Sequence, residues 1–423
     1  MGPSVTSWRP ETDPRDRYGA GWSVSGAPLR GLFLTLATCF ALLTLAGVLG
    51  YRAYPHPAND YFAFDSFSRF IHEHSPALIY DQDLLRRFQK LPGAKVFAFM
   101  YHPGMMLLLW PLAHLPYDLG YVLWVGTGLV ACSVAVAGSR DGWPLALLVV
   151  VAPSTLWTAL CGQSSLLVAA LLIGGLLLSP RRPLIAGVLI GLATYKPQLG
   201  ILVPVALVAA GQWRTVLAAS ATAACIVLCS TLAFGVAVWP AWFHHLSSII
   251  DVRSAHGTDW APLLATVASN LAMLGVGRVA ADAVQLVAFI GSAICIWHCF
   301  RSRARLGGDS GIPRLEVAAL GAATFLATPF AFTYDLPLFT GAVLMFADER
   351  RRAGGTFLFR EVMAIVAGLL LPCFVVAGWL HACSSLVVLT MLCTILHRIG
   401  DLRRGHHQSA RTADMSLSGA VKA

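Results

Sequence analysis

N-D-Y-F-A-F-D-S-F at 59–67 opens a polar stretch that closes with Y-H-P-G at 101–104, and strongly apolar segments flank it on both sides. Two acids, Asp60 and Asp65, lie here among aromatic residues. The rest of the chain reads as a frame for this stretch. Its 423 residues are 57% hydrophobic and only 12% charged, with a mean hydropathy of +0.68. Ordinary soluble domains carry about 25% charge. A core in water cannot hide this much apolar surface, so the solvent is lipid, and several runs approach the ~20 residues that cross a bilayer. The expected fold is an all-α polytopic membrane protein, a bundle of about 11–13 transmembrane helices. Residues 59–103 form its structured first outer loop.

The net charge of +9 does not point to nucleic acid, because the basic residues come in short clusters between apolar runs. That is the pattern of cytoplasmic loops in an inner or plasma membrane. Residues 1–30 are rich in Pro, Gly, Ser and Arg and read as a disordered cytoplasmic N-terminus. No cleavable signal is expected. Gly31 to Gly50 is the first span of a transmembrane domain at 31–397, and 398–423 is a basic cytoplasmic tail.

Later spans are expected at 104–116, 118–137, 143–160, 165–179, 184–196, 198–211, 214–236, 280–300, 314–329, 336–347, 360–378 and 381–397. The connections Arg181–Arg182, Gln212–Arg214, Arg301–Arg305, Asp348–Arg352 and Arg398–Arg404 are all basic. Placing them in the cytoplasm puts Gln163, Lys196, a 237–262 loop and Tyr334–Asp335 on the same outer side as Asp60. In the outer loop, Phe62, Phe67, Phe70 and Ile71 suit a short helix lying in the membrane interface. Leu84, Leu85, Phe88 and Leu91 suit a second.

Five places hold polar residues that an apolar chain must account for. Lys196 is the only lysine in the apolar body, and Pro197 breaks the helix beside it. A lysine there binds an anion such as phosphate, with Tyr195 and Gln198 adding donors, or snorkels to the interface. Asp60 is a general base in a dry pocket, or else a helix cap or a solvated acid paired with Arg69. Gln163, in Cys161-Gly162-Gln163-Ser164-Ser165, holds a hydroxyl-rich ligand or merely caps a helix. Tyr334-Asp335 marks an intramembrane acid, functional by default unless an arginine pairs with it. His244, His245, Arg253, His256, Asp259 and Trp260 fill 237–262 with residue types that bind sugars and phosphates. Cys295, His298 and Cys299 share a helix face, where packing is the ordinary reading and metal binding the rival. No Walker loop, GxSxG elbow, HExxH or CxxC is present, which weighs against nucleotide-driven transport, serine hydrolysis and zinc chemistry.

Taken in order, D-Y-F-A-F at 60–64, I-Y-D at 79–81, Y-H-P at 101–103, W-P-L-A-H-L-P at 110–116, G-Q-S-S at 162–165, A-G-V-L-I-G-L-A-T-Y-K-P-Q at 186–198 and L-A-T-P-F-A-F-T-Y-D-L at 326–336 resemble glycosyltransferase family 87. These are polyprenyl-phosphate-mannose-dependent transferases of the C-type glycosyltransferase superfamily. This chain departs from the family pattern at His102, usually proline, and at Ser164, often replaced by Asn or Val-Asn. The resemblance implies a many-helix fold with its active site at the outer face and Asp60 as the catalytic acid-loop residue.

The implied reaction takes a sugar, mannose or a related hexose, from a polyprenyl phosphate to an envelope glycan or lipid acceptor. Asp60 removes the acceptor proton, and Lys196 meets the leaving phosphate. Gln163, Tyr101, His102, Tyr195, Gln198, Tyr334 and Asp335 bind substrate. The lipid-linked sugar is a substrate, and the scheme requires no cofactor or divalent metal. The rivals are a transporter or flippase of a lipid-linked or envelope saccharide, and a scaffold for a polysaccharide-making complex.

Overall fold

The computed structural model describes residues 23–24, 59–91, 96–138, 142–255, 263–302, 312–354, 357–376 and 381–420. The expected first span, nearly all of the N-terminal segment, and His256, Asp259 and Trp260 lie outside these residues, as does the side chain of Arg253.

Two helices build the polar stretch. α1 (Asp60–Glu73) begins where the Asn59 side chain accepts the Phe62 amide at 3.0 Å. α2 (Gln82–Gln89) begins where Asp81 accepts the amides of Asp83 and Leu84, each at 3.0 Å. Each cap satisfies amides that have no partner inside the helix. The aromatic face of α1 does not lie in the membrane interface as its pattern suggested. Tyr61, Phe64, Phe67 and Phe70 are at most 2% exposed and pack into protein. Tyr61 meets Tyr117 and Tyr121 edge-on, and Phe67 meets Phe99 the same way, with centroids 5.1 to 5.2 Å apart. Rings buried against rings lose as much wet surface as rings in lipid, and gain edge-to-face attraction as well.

Ser68 fastens α1 to the next segment. Its hydroxyl donates to the Leu109 carbonyl at 2.8 Å and accepts the Ala113 amide at 2.7 Å. That segment, expected as a span over 104–116, is α3 (Gly104–Leu109) followed by a 3₁₀ turn, Trp110–His114.

The bundle then runs α4 (Tyr117–Ala137), α5 (Trp143–Val151), α6 (Pro153–Cys161), α7 (Ser165–Leu178), α8 (Pro183–Leu192), α9 (Val203–Ala209), α10 (Trp213–Phe234), α11 (Val238–Ala255), α12 (Val267–Met273), α13 (Arg278–Arg301), α14 (Ile312–Ala327), α15 (Pro337–Arg352), α16 (Phe359–Val376) and α17 (Ser384–Ala420). The fold is all-α and polytopic. Among the described residues, α4, α10, α13 and the Ser384–Gly405 part of α17 are long and apolar enough to cross a membrane. Their outward faces carry Val134, Leu232 and Val279 at 67%, 77% and 86% exposure, a surface for lipid rather than water.

The other expected spans are shorter or broken. The 143–160 segment is α5 and α6, bent by 55° where Pro153 forbids a continuous ladder. The 184–196 and 198–211 segments are α8 and α9, joined by 3₁₀ turns at Ala193–Tyr195 and Pro197–Gly200. The 237–262 region is the helix α11 as far as Ala255, not a loop.

α15 is the hub. It is buried from Pro337 to Glu349 and packs on α14, α7, α5 and α16. At its C-terminal end the arginines find carboxylates. Asp348 takes Arg351 and Arg352 at 2.9 and 2.8 Å, Glu349 takes Arg398 at 3.1 Å, Glu361 takes Arg350 at 3.0 Å, and Glu316 takes Arg403 at 3.1 Å. Residues 398–420 continue α17, and Arg398 and Arg403 in its course clamp α15 and α14. A two-residue pairing of β1 (Ser23–Val24) with β2 (Phe357–Leu358) joins the same end.

α8 and α10 run parallel and close. A Cβ placed on Gly187 would lie 2.3 Å from Ala218 Cβ and 2.8 Å from the Thr215 carbonyl oxygen, and Gly191 faces Thr222 in the same way. Small residues four apart let backbones approach where no hydrophobic effect drives helices together. Gly187→Val should therefore cost about 1–3 kcal/mol through overpacking against backbone. Thermal unfolding in detergent should show a clear fall in midpoint, and an unchanged midpoint would contradict the packing.

Candidate active site

The site starts from a glycine. Gly162 ends α6 with φ of +72°, in the left-handed region that disfavours side chains. A Cβ there would sit 2.4 Å from Tyr61 Cβ and 3.0 Å from the Tyr61 amide nitrogen. Only a bare backbone lets the first turn of α1 rest on the turn between α6 and α7. Asn59 Nδ2 donates to the Leu160 carbonyl at 3.2 Å, and the Trp124 indole donates to the Gly162 carbonyl at 3.1 Å. This contact carries Asp60, the next residue after the cap, to Gln163.

Behind Gln163 lies a buried ion pair. The Lys196 ammonium is 2.8 Å from Asp335 Oδ1, and both side chains are 3% exposed or less. Lys196 also donates to Ser165 Oγ at 2.8 Å and to Gln163 Oε1 at 3.0 Å. An ammonium has three protons, and all three are placed. Ser165 donates to the same Asp335 oxygen at 2.6 Å, while Asp335 Oδ2 accepts the Phe332 amide at 3.0 Å. The Tyr334 ring lies 5.1 Å from the ammonium, within cation–π range. Because Gln163 Oε1 receives Lys196 and also the Ser164 amide at 3.3 Å, its NH₂ group faces the other way. On that side lie the Asp60 carboxyl and the Tyr101 hydroxyl, both of which interact with Gln163.

Burial raises the pKa of Asp60 above its ordinary value. The Gln163 hydrogen bond and the Lys196 charge oppose this rise, and Asp335 adds to it. Tyr101 is pushed well above the usual phenol range by burial first and by Asp60 next, so it is a neutral donor. Burial lowers the pKa of His102, partly offset by its hydrogen bond to Thr194.

The sequence-derived candidates divide accordingly. Asp60, Tyr101, Gln163, Lys196, Tyr334 and Asp335 come together. Tyr195 donates to the Ser164 carbonyl at 3.3 Å and so supports the turn. His102 has both ring nitrogens on backbone: Nε2 pairs with the Thr194 carbonyl at 3.1 Å, and Nδ1 accepts the Gly104 amide at 3.0 Å. It ties the end of the polar stretch to the turn before Lys196. Gln198 is half-buried on the following turn, outside the network among the described residues.

The bland alternatives can now be compared with the geometry. Lys196 does not snorkel, being buried, and Asp335 pairs with it rather than with an arginine. The cap of α1 is Asn59. Arg69 holds Asp65 through two contacts of 2.9 and 3.0 Å, which makes Asp65 a structural acid.

Sequence reasoning passed over Ser165, although it follows Gln163 by two residues in G-Q-S-S. It also passed over Trp239 and Trp242, whose rings flank His102 at 6.1 Å. His245 packs on Tyr80 at 5.5 Å. Cys295, His298 and Cys299 do not gather as a ligand set among the described residues.

Residues 99–329 match glycosyltransferase family 87, over half of the chain. Neither a curated protein nor a solved structure matches it. The matched span holds Gln163, Ser165 and Lys196, whereas Asp60 and Asp335 lie outside it and meet them only in the folded chain.

Lys196→Met should leave Asp335 buried without a counter-charge, a loss of about 3–5 kcal/mol. Adding Asp335→Asn should recover most of that stability, because no charge is then stranded. Unfolding midpoints of wild type, single and double variants test this, and a double variant as unstable as the single would contradict it.

Proposed function

The chain belongs to glycosyltransferase family 87, and from that membership we propose that this membrane glycosyltransferase moves a sugar from a polyprenyl phosphate to an envelope glycan or lipid. The sugar is mannose or a related hexose, and transfer inverts the anomeric centre. The observation that carries the reading is the meeting of Asp60 with Gln163 at the face of the Lys196–Asp335 pair.

In this reading the acceptor hydroxyl gives its proton to the Asp60 carboxylate as its oxygen attacks the anomeric carbon. The new glycosidic bond forms as the bond from that carbon to the phosphate oxygen breaks. The electron pair leaves with the lipid phosphate. One carboxylate and a good leaving group suit direct displacement. Gln163 holds Asp60 from the side, and Tyr101 supplies a neutral donor to sugar oxygens. The Lys196 charge acts on the leaving phosphate through a low-dielectric site. A direct contact requires it to release one of its three present acceptors. The metal-free scheme leaves these roles with side chains alone.

Family membership sets the transporter and scaffold rivals aside. In this reading the reaction takes place at the outer face of the cell membrane, a placement that the charge pattern supports. α15 begins two residues after Asp335 and ends in the arginine-rich cluster after 16 residues, about 24 Å at ~1.5 Å each. Arginine-rich connections favour the cytoplasm, which supports a site that faces outward and termini that face inward.

Asp60→Asn should retain the fold and lose transfer from polyprenyl-phosphate sugar by roughly 100-fold or more. Mass spectrometry of the product in purified protein reads this out, and transfer at the wild-type rate would reject the base. The acid limb of kcat/KM should also lie above the ordinary aspartate range of about 3.9. The sign follows from burial: a raised pKa means that falling pH protonates Asp60 earlier and removes the base. A profile flat down to pH 4 would contradict it.

A further inference from the structure

Along one flank of the parallel helices α8 and α10, starting at their N-terminal ends, runs a groove of about 740 Å³. Its walls include Leu184, Ile185, Leu217 and Ala221, and its mouth holds Arg182 and Arg214. Leu184 and Leu217 are 67% and 69% exposed, so the groove opens to lipid. Arg214, Leu217 and Ala221 lie on one face of α10, running from the charge into the apolar layer. Trp213, 58% exposed, sits beside Arg214 and suits the depth of the headgroups. Lys196 lies fourteen residues along the chain from Arg182, about 20 Å away at ~1.5 Å per residue. The groove is thus a different place from the active site.

The two arginines differ from those around α15. Arg350, Arg351, Arg352, Arg398 and Arg403 each meet a carboxylate. Among the described residues no acid forms an ion pair with Arg182 or Arg214. Two guanidiniums at the headgroup level, above an apolar channel open to the acyl chains, lack only an anion with a hydrocarbon tail. We propose that this groove binds one anionic glycerophospholipid of the leaflet at the arginine-rich end. Its phosphate lies between Arg182 and Arg214, and one acyl chain lies along Leu217 and Ala221. Guanidinium forks match phosphate oxygens in pairs. The net negative headgroup is preferred to a zwitterionic one, because two fixed positive charges face it.

The test uses the full-length protein purified in detergent, titrated with phosphatidylglycerol and with phosphatidylcholine, and read by native mass spectrometry and thermal midpoint. Wild type should hold phosphatidylglycerol on the order of ten-fold more tightly than phosphatidylcholine. R182A/R214A should lose that preference. Ala221→Trp, which fills the channel without altering charge, should weaken phosphatidylglycerol as well. R86A/R87A, which removes the same charge from α2, should behave as wild type. Equal binding of the two lipids by wild type, or an unaltered preference in R182A/R214A, overturns the proposal. So does a preference lost equally in R86A/R87A, which would show only net charge. Displacement of phosphatidylglycerol by equimolar polyprenyl phosphate would overturn the choice of occupant.

Discussion

An ammonium sealed among a carboxylate, a hydroxyl and an amide oxygen holds the middle of this bundle together. Alone in an apolar interior, Lys196 would be far too costly to keep charged. Asp335 at 2.8 Å, with Ser165 and Gln163, makes the arrangement tolerable because every proton of the ammonium has an acceptor. The ammonium and its partners come from different breaks in the chain: Lys196 from the 3₁₀ turns after α8, Gln163 and Ser165 from the turn after α6, and Asp335 from the irregular stretch between α14 and α15. Broken backbone in a membrane protein must be covered by protein and satisfied there. The same locality does this with further bonds. Thr158 donates to the Tyr334 carbonyl at 2.7 Å, Trp157 to Thr333 at 3.1 Å, and the Ala265 amide to the Ala331 carbonyl at 2.8 Å. The ion pair and the helix breaks sustain each other.

On this frame α1 sits as a separately packed piece. Its rings are buried among Tyr117, Tyr121 and Phe99, and its first turn is pinned at Gly162. Division of labour follows from the packing. The groups that need a fixed position, Lys196 and Asp335, lie deep in the frame. Asp60 is half-buried at the edge, where an acceptor can reach it. Burial raises its pKa while Gln163 and Lys196 keep the carboxylate accessible. A base needs both, since a fully solvated carboxylate is a weak base and a fully isolated one stays protonated.

The far end of the bundle shows the opposite use of charge. Around α15, arginines and carboxylates cancel in pairs that bridge α14, α15, α16 and α17, and these pairs hold elements distant in sequence. Where α8 and α10 begin, positive charge is left facing the lipid. One end of the molecule thus carries both internal neutralisation around α15 and an outward positive mouth where α8 and α10 begin.

Much of this was legible before folding. A chain with few charges and long continuous apolar runs is helical and lipid-embedded whatever its tertiary detail, because a helix satisfies its backbone polar groups within the segment and the alternating strands of a barrel would not read that way. The rarity of charge also singled out Lys196 and Asp335, and the apolar spacings of Phe62, Phe67, Phe70 and Ile71 and of Leu84, Leu85, Phe88 and Leu91 pointed to α1 and α2. Three things lay beyond the linear chain. That Lys196 answers Asp335 depends on two elements 139 residues apart meeting at one depth. That α1 buries its aromatic face in protein rather than in the interface depends on Tyr117, Tyr121 and Phe99 being there to receive it. That Asp60 reaches Gln163 depends on the absence of a Cβ at Gly162, which matters only once another backbone lies against it. Composition selects the solvent and the class of fold, whereas the meeting of particular groups is a property of the close-packed interior.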